Sequence, residues 1–202
     1  MNTQISDALR AENKESGDRS LVAARRTLQQ TGRLVNQFLT LSSAEAYVAT
    51  KTLMSTQECC DIVQRVLEDL AIQAHSKNID LGFERIGSDA VISTDPAALR
   101  EIAVNVIDNA IRYTQAHGVV TVRVQSTEGQ IALAVEDNGP GVPLESQEKI
   151  FQRFYRVGGT DSTGSGLGLA IVKELASQCG GTIRVDAPAH GGSGLLIVID
   201  FF

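Results

Sequence analysis

The period of the apolar positions changes along the chain, and each change marks a different kind of element. Between residues 20 and 45, Leu21, Leu28 and Val35 recur every seven positions, with Ala24, Thr31 and Phe38 between them. A 3.5-residue period is the seam of helices packed lengthwise. Leu34, Leu39 and Leu41 widen that seam, as in a helix bundle. An ordinary amphipathic helix of one globular domain is the alternative. A mixed stretch follows from 46 to 57 and reads as a linker. Thr56 and Glu58 then open a second helical pattern, with Ile62, Val63, Val66, Leu67 and Leu70 on one face.

Shorter apolar runs follow. Ile79–Phe83, Val91–Ser93, Val119–Val124 and Ile131–Val135 predict strands, the last two joined by a turn at Glu128-Gly129. Asp95 before Pro96 predicts a helix start, because aspartate caps free backbone amides and proline lacks only an N–H that the first turn does not use. That helix should run to about Tyr113. Another should span Gly168–Ser177 and stop at Cys179-Gly180-Gly181, followed by strands Thr182–Val185 and Leu195–Phe201. Strands interleaved with three long helices predict an α/β fold, a two-layer α/β sandwich.

On the Asp95 helix, Leu99, Ile102, Ala103, Val106, Ile107 and Ala110 form the core face, and Glu101, Asn105, Asn109 and Arg112 the opposite stripe. Asparagine costs roughly half a kcal/mol in a helix relative to alanine, so two stacked at i and i+4 need a reason. Solvent exposure is one. The other is that amide oxygens are hard ligands, suited to a Mg²⁺ ion carried mainly by nucleotide phosphates.

Asp137 follows the strand Ile131–Val135, and Gly139 and Gly141 come directly after it. A buried carboxylate there can accept from the exocyclic amino group of adenine, where guanine has a carbonyl. The glycines let backbone pass close to a base. A plain Asn-Gly-Pro turn would look the same in isolation. Gly164, Gly166 and Gly168, with Leu167 among them, open a helix whose free amides can receive phosphate oxygens. No Gly-Lys-Ser/Thr follows, so this is not a Walker loop, and the spacing is not that of a Rossmann fingerprint. The Val142–Gly164 connection is long enough to suggest a lid or a disordered loop. Phe151, Phe154 and Tyr155 would anchor its base, and Arg153 or Arg156 could reach a γ-phosphate.

Composition narrows the classes. A chain of 202 residues, 43% hydrophobic, can bury one substantial core and a small appendage. A net charge of −6 and a pI near 5.1 argue against nucleic acid as a partner. Three cysteines without CxxC spacing suggest neither a disulfide framework nor a zinc site. No apolar run approaches the roughly 20 residues of a membrane span. The polar start is unlike a signal peptide. The chain reads as soluble and cytoplasmic.

The segments Asn105–Ala110, Asp137–Gly141 and Gly164–Leu169 resemble the N, G1 and G2 boxes of the catalytic, ATP-binding domain of bacterial sensor histidine kinases. That superfamily (GHKL, with the Bergerat-type ATP-binding fold) includes gyrase B, heat-shock chaperones and mismatch-repair ATPases. Phe151–Arg156 resembles the family's F box. Each segment is common by itself, but this order within one domain's length is specific.

The resemblance runs from about Asp95 to the C-terminus and implies ATP and Mg²⁺ as cofactors. It gives Asn109 the metal, with Asn105 close by, brings Arg112 to phosphate and places Tyr113 near adenine. Upstream, Arg33–Glu45 resembles the second helix of the kinase dimerisation hairpin, and Thr3–Glu12 the tail of the first. The implied organisation is residues 1–45 as a partial hairpin, 46–57 as linker and 58–202 as catalytic domain.

None of His75, His117 and His190 is followed by the acidic residue that accompanies the family's phosphoacceptor. The acceptor histidine is therefore expected outside this chain, which would be a fragment or truncated relative of a kinase anchored in the inner membrane. The expected activity is γ-phosphoryl transfer to that histidine in two-component signalling. The expected partners are the acceptor hairpin, a response regulator receiver domain and a weak homodimer through residues 1–45. Two rivals remain: a serine kinase of the same superfamily, and a non-catalytic nucleotide-sensing or dimerisation module.

Overall fold

Two well-capped helices frame the fold. In the computed structural model, which describes residues 49–157, 165–188 and 192–202, helix α1 spans Thr56–Ser76. Ser55 and Glu58 close a reciprocal capping box at its start: the Glu58 amide donates to Ser55 Oγ, and the Ser55 amide to Glu58 Oε2. Helix α2 spans Pro96–Tyr113, and Asp95 Oδ1 accepts from the amides of Ala97 and Ala98 at 2.8 and 3.1 Å. This is the Asp-Pro start expected from sequence.

The strands are β1 (Thr52–Ser55), β2 (Asp80–Gly87), β3 (Val91–Thr94), β4 (Val119–Thr127), β5 (Gln130–Asp137), β6 (Thr182–Asp186) and β7 (Leu195–Phe201). The main sheet has the order β2-β4-β5-β7-β6, with β2 parallel to β4 and the other pairs antiparallel. A short helix α3 (Leu144–Gln147) and a 3-10 turn (Lys149–Phe151) precede helix α4 (Gly168–Gln178). Helix α2 lies between α1 and α4, and all three pack against the sheet.

Alternation along the strands divides the sheet's residues between two faces. Ile131, Leu133 and Val135 join Ile102, Val106, Ile107 and Ile171 in the main core, while Ala132, Ala134 and Val198 form a small cluster of their own. Burying a large aliphatic side chain contributes roughly 1.5–3 kcal/mol, so the helix–sheet interface dominates stability. This is the two-layer α/β sandwich expected, with a mixed sheet.

One boundary differs from the sequence reading. Thr52–Ser55, assigned there to a linker, pair antiparallel with Val91–Thr94, and the Thr50 amide donates to Asp95 Oδ2 at 2.6 Å. Four residues give too little periodicity to separate a strand from a linker. All described residues belong to one compact unit, Thr40–Phe202; the 1–45 hairpin lies outside them. Cys59, Cys60 and Cys179 are buried free thiols, and burial pushes Cys59 up to about 12.

Candidate functional site

Helix α2 buries Asn105 and half-buries Asn109 on its asparagine stripe. Asn105 is only 8% exposed. Its Nδ2 donates to the Glu101 carbonyl one turn earlier at 2.9 Å, which holds the amide in place. Opposite it lies the start of α4. A Cβ built on Gly168 would stand 3.2 Å from Asn105 Oδ1 and 3.3 Å from Asn109 Nδ2. Gly168 thus lets the α4 N-terminus approach both amides. Solvent exposure, the bland explanation of the pair, does not hold for Asn105.

At the C-terminal end of α2 the chain leaves through Tyr113, which is 43% exposed, and the C-cap Thr114. Arg112 is folded back on Asp108 at 2.5 Å, and Gln73 of α1 donates to the same carboxylate at 2.9 Å. Lys77, in the turn after α1, donates from Nζ to the carbonyls of Ile111, Arg112 and Thr114 at 2.9, 2.7 and 3.1 Å. Burial and the nearby Arg112 charge lower its pKa, against the opposing effect of Asp108.

The turn after β5 meets this same end of α2. Asp137 is 8% exposed, and its Oδ1 accepts from the Gly139 amide at 2.8 Å. Burial raises its pKa above the ordinary carboxylate value, while backbone donors at Gly139 and Leu195 pull the other way. A Cβ on Gly139 would come within 2.9 Å of Asp137 Oδ1 and 3.0 Å of the Tyr113 carbonyl.

Asn138 Oδ1 accepts from Val119 N at 2.8 Å and its amide donates to the Val119 carbonyl, binding this turn to the start of β4. Gly141 has φ of 73° and would put a Cβ 2.8 Å from the Gly194 carbonyl. Gly194 in turn leaves only 2.0 Å between its own hypothetical Cβ and the Asp137 carbonyl. These glycines let the backbones of Tyr113, Asp137 and Gly194 close on one another, so the turn that carries Asp137 is tightly packed.

The third part is the lid base and the start of α4. Phe154 N donates to the Gly166 carbonyl at 2.9 Å, and a Gly166 Cβ would stand 2.8 Å from the Phe154 backbone. Phe154 has φ of 64° and is 65% exposed, a left-handed conformation that non-glycine residues seldom adopt. Tyr155 donates from its hydroxyl to Ser146 Oγ at 2.9 Å. Leu167 is buried. Helix α4 has no side-chain cap, and the amide of its N-cap residue Leu167 donates to Ser165 Oγ at 3.1 Å; a helix N-terminus of this kind can receive an anion.

Arg153 is exposed and Arg156 half-buried, both on the Gln152–Val157 segment beyond the 3-10 turn. Gly164 lies outside the described residues. A cavity of about 460 Å³ opens between this lid base, Lys173 and Ile183–Val185, and none of the expected site residues lines it.

Asn105, Asn109 and Gly168 thus meet along the middle and C-terminal half of α2, and Asp137 and Gly139 meet its last turn at Tyr113. Sequence reasoning missed Lys77, Ser146 and Gly194. Only Gly194 carried a signal, as part of a run in which ten of the 18 glycines fall between Gly158 and Gly194.

Residues 94–201 match the family model "Histidine kinase-, DNA gyrase B-, and HSP90-like ATPase". Sensor protein kinase PmrB of Pseudomonas aeruginosa is 34% identical over 192 residues, 95% of this chain and 40% of its own length. Sensor protein QseC of Salmonella typhi is 33% identical over 91% of this chain and 40% of its own. The chain therefore spans about 40% of these curated relatives.

Among solved structures, full-length ShkA in complex with AMPPNP matches with a TM-score of 0.74 and 29% identity, covering 91% of this chain and 38% of that one. The mycobacterial sensor histidine kinase MprB matches with a TM-score of 0.61 and 30% identity over 75% of this chain and 97% of that one. The chain belongs to the histidine kinase-, DNA gyrase B- and HSP90-like ATPase family and carries the ATP-binding catalytic domain found in two-component sensor histidine kinases.

Proposed function

We propose that this domain binds Mg·ATP between Asp137 and the α4 N-terminus and passes the γ-phosphoryl to a histidine outside this chain. The observation that carries the reading is that one helix, α2, faces the glycine-started α4 with two amides and meets, at its last turn, a buried carboxylate followed by glycines. The AMPPNP held by ShkA supports the choice of nucleotide.

In this reading Asp137 accepts from the adenine amino group, and Gly139 and Gly141 keep the base's approach open. Tyr113 packs beside the base. The amides of Gly166 and Gly168 receive phosphate oxygens, joined by that of Leu167 once it leaves Ser165 Oγ, with Gly164 extending the loop. Arg112, released from Asp108, meets the phosphates, and Arg153 or Arg156 meets the γ-phosphoryl.

Among the described residues no cluster of three His, Cys, Asp or Glu side chains can hold a metal. This suits an ion carried by nucleotide phosphates and completed by the Asn109 amide, with Asn105 beside it. When bound, Mg²⁺ supplies neutralisation of the charge on the transferring group. The domain's own part is positioning.

The acceptor would lie on a dimerisation hairpin of the parent kinase, with a response regulator downstream. A histidine kinase of the same fold, ThkA, has been crystallised in complex with its response regulator protein TrrA. No described helix is long and apolar enough to cross a membrane; the domain would work on the cytoplasmic side, where ATP is available.

The test is a mixing experiment with γ-labelled ATP and a separate hairpin bearing the acceptor histidine. The expected result is acid-labile, base-stable label on the hairpin and none on this chain. Label on this chain alone, or none on the hairpin when nucleotide is demonstrably bound, contradicts the reading.

A further inference from the structure

Lys77 lies outside the three motifs, yet both its side chain and its backbone are tied to the site's frame. An ammonium has three protons, and each is given to a carbonyl at the end of α2: Ile111, Arg112 and Thr114. Those carbonyls are the ones a helix C-terminus leaves without intrahelical partners, and they carry the negative end of the helix dipole.

The backbone of Lys77 is held as well. Its amide donates to the Ala74 carbonyl at the end of α1, and its own carbonyl accepts from the His117 amide in the turn before β4. One residue thus joins three turns: the one after α1, the one after α2 and, through Val119 and Asn138, the one after β5.

Tyr113 sits between two of the clamped carbonyls. Its own carbonyl is 3.0 Å from where a Gly139 Cβ would be, so a shift of the last α2 turn would press directly on the Asp137–Gly139 turn. Resting on the nucleotide-site reading above, we propose that Lys77 is a positioning residue for adenine-nucleotide binding: it locks the C-terminal turn of α2 against the Asp137–Gly141 turn, so that the base end of the site is formed before nucleotide arrives. It acts through Tyr113 and Gly139, not by attracting phosphate.

The experiment titrates the full chain with ADP and with AMP, in wild type, Lys77→Met and Lys77→Gln, each held where it is fully folded. If the clamped turn is competent only a tenth of the time without the ammonium, both affinities fall by about tenfold. Lys77→Gln, which keeps a donor, should lose less, and it keeps the measurement available if the methionine variant does not fold. Val63→Ala, a core truncation on α1, should lower stability and leave affinity unchanged. Amide NMR adds a signature that a general loss of stability would not give: in Lys77→Met the Thr114 and Gly139 resonances should shift while that of Gly129, in a remote hairpin, stays.

Unchanged ADP affinity in a folded Lys77→Met protein overturns the proposal and leaves the nucleotide site standing. A loss for ADP with none for AMP also overturns it, because Lys77 would then act as a charge. Failure of wild type to bind any adenine nucleotide removes the site reading and this proposal together.

Discussion

The two ends of the site are built by opposite means. At the Asp137 end, glycines, carbonyls and one lysine lock three turns together, and the key carboxylate is buried. At the Phe154 end, an exposed aromatic in a left-handed conformation meets an uncapped helix through one backbone hydrogen bond. In the proposed nucleotide reading the first end gives shape and selectivity before a ligand arrives, whereas the second offers a helix N-terminus for a ligand to satisfy. Base recognition should therefore be sensitive to single atoms, and the phosphate end more tolerant.

The most damaging change at the rigid end should be Gly139→Val. Its Cβ meets Asp137 Oδ1 and the Tyr113 carbonyl, neither of which can move away. Overpacking of this kind costs about 1–3 kcal/mol of stability, and adenine binding should be abolished. Chemical denaturation with ADP titration checks both, and near-wild-type ADP affinity would show that the turn is not rigid.

Next in size is the amide pair. Asn109→Ala should cost ATP most of its Mg²⁺-dependence, about tenfold in affinity if the ligand contributes one charge-assisted contact. The helix should be unharmed, since alanine is the better helix former. An equal Mg²⁺ effect on ATP binding in wild type and variant would remove Asn109 from the metal site.

A smaller effect is expected at Gly168→Ala. Its Cβ needs only a few tenths of an ångström, which the Asn109 side chain and the start of α4 can give while Asn105 stays on the Glu101 carbonyl, so ATP affinity should fall by a few-fold, about 0.5–1 kcal/mol, with stability unchanged. A larger loss than that of Gly139→Val would reverse the comparison.

The smallest effect concerns pH. Asp137 has its pKa raised by burial, so the folded state holds that proton more tightly than the unfolded chain. Its contribution to stability is present at low pH and is lost as pH rises through the folded pKa. Nucleotide binding needs the ionised form and runs the opposite way, weakening as pH falls through the same raised value. At neutral pH, Asp137→Asn should therefore be at least as stable as wild type without ligand. Denaturation curves at neutral pH check this, and a clearly less stable variant would mean the carboxylate is structural.

What could be read from the sequence follows from how local each signal is. The Asp95-Pro96 start, the apolar face of α2 and the alternating strands announce themselves within a few residues, and the sandwich follows from their order. The proximity of Asn105, Asn109 and Gly168 was legible only as motif order, because the α2–α4 contact joins residues some sixty positions apart. Strand β1 was not legible, since its partner is β3, well down the chain. Lys77 was illegible for a different reason: a lysine after a helix looks like a solvated charge, and only the fold shows three carbonyls converging on it.

The measurement that tests the account most directly is calorimetric titration of ADP and GDP into wild type and Asp137→Asn. Wild type should bind ADP and discriminate against GDP. The variant, exchanging an acceptor-only group for a mixed one, should lose at least about tenfold in ADP affinity, or 1.4 kcal/mol, while remaining folded. Equal ADP affinity in the folded variant, or equal affinity of wild type for the two nucleotides, would contradict the assignment of Asp137 to the adenine base.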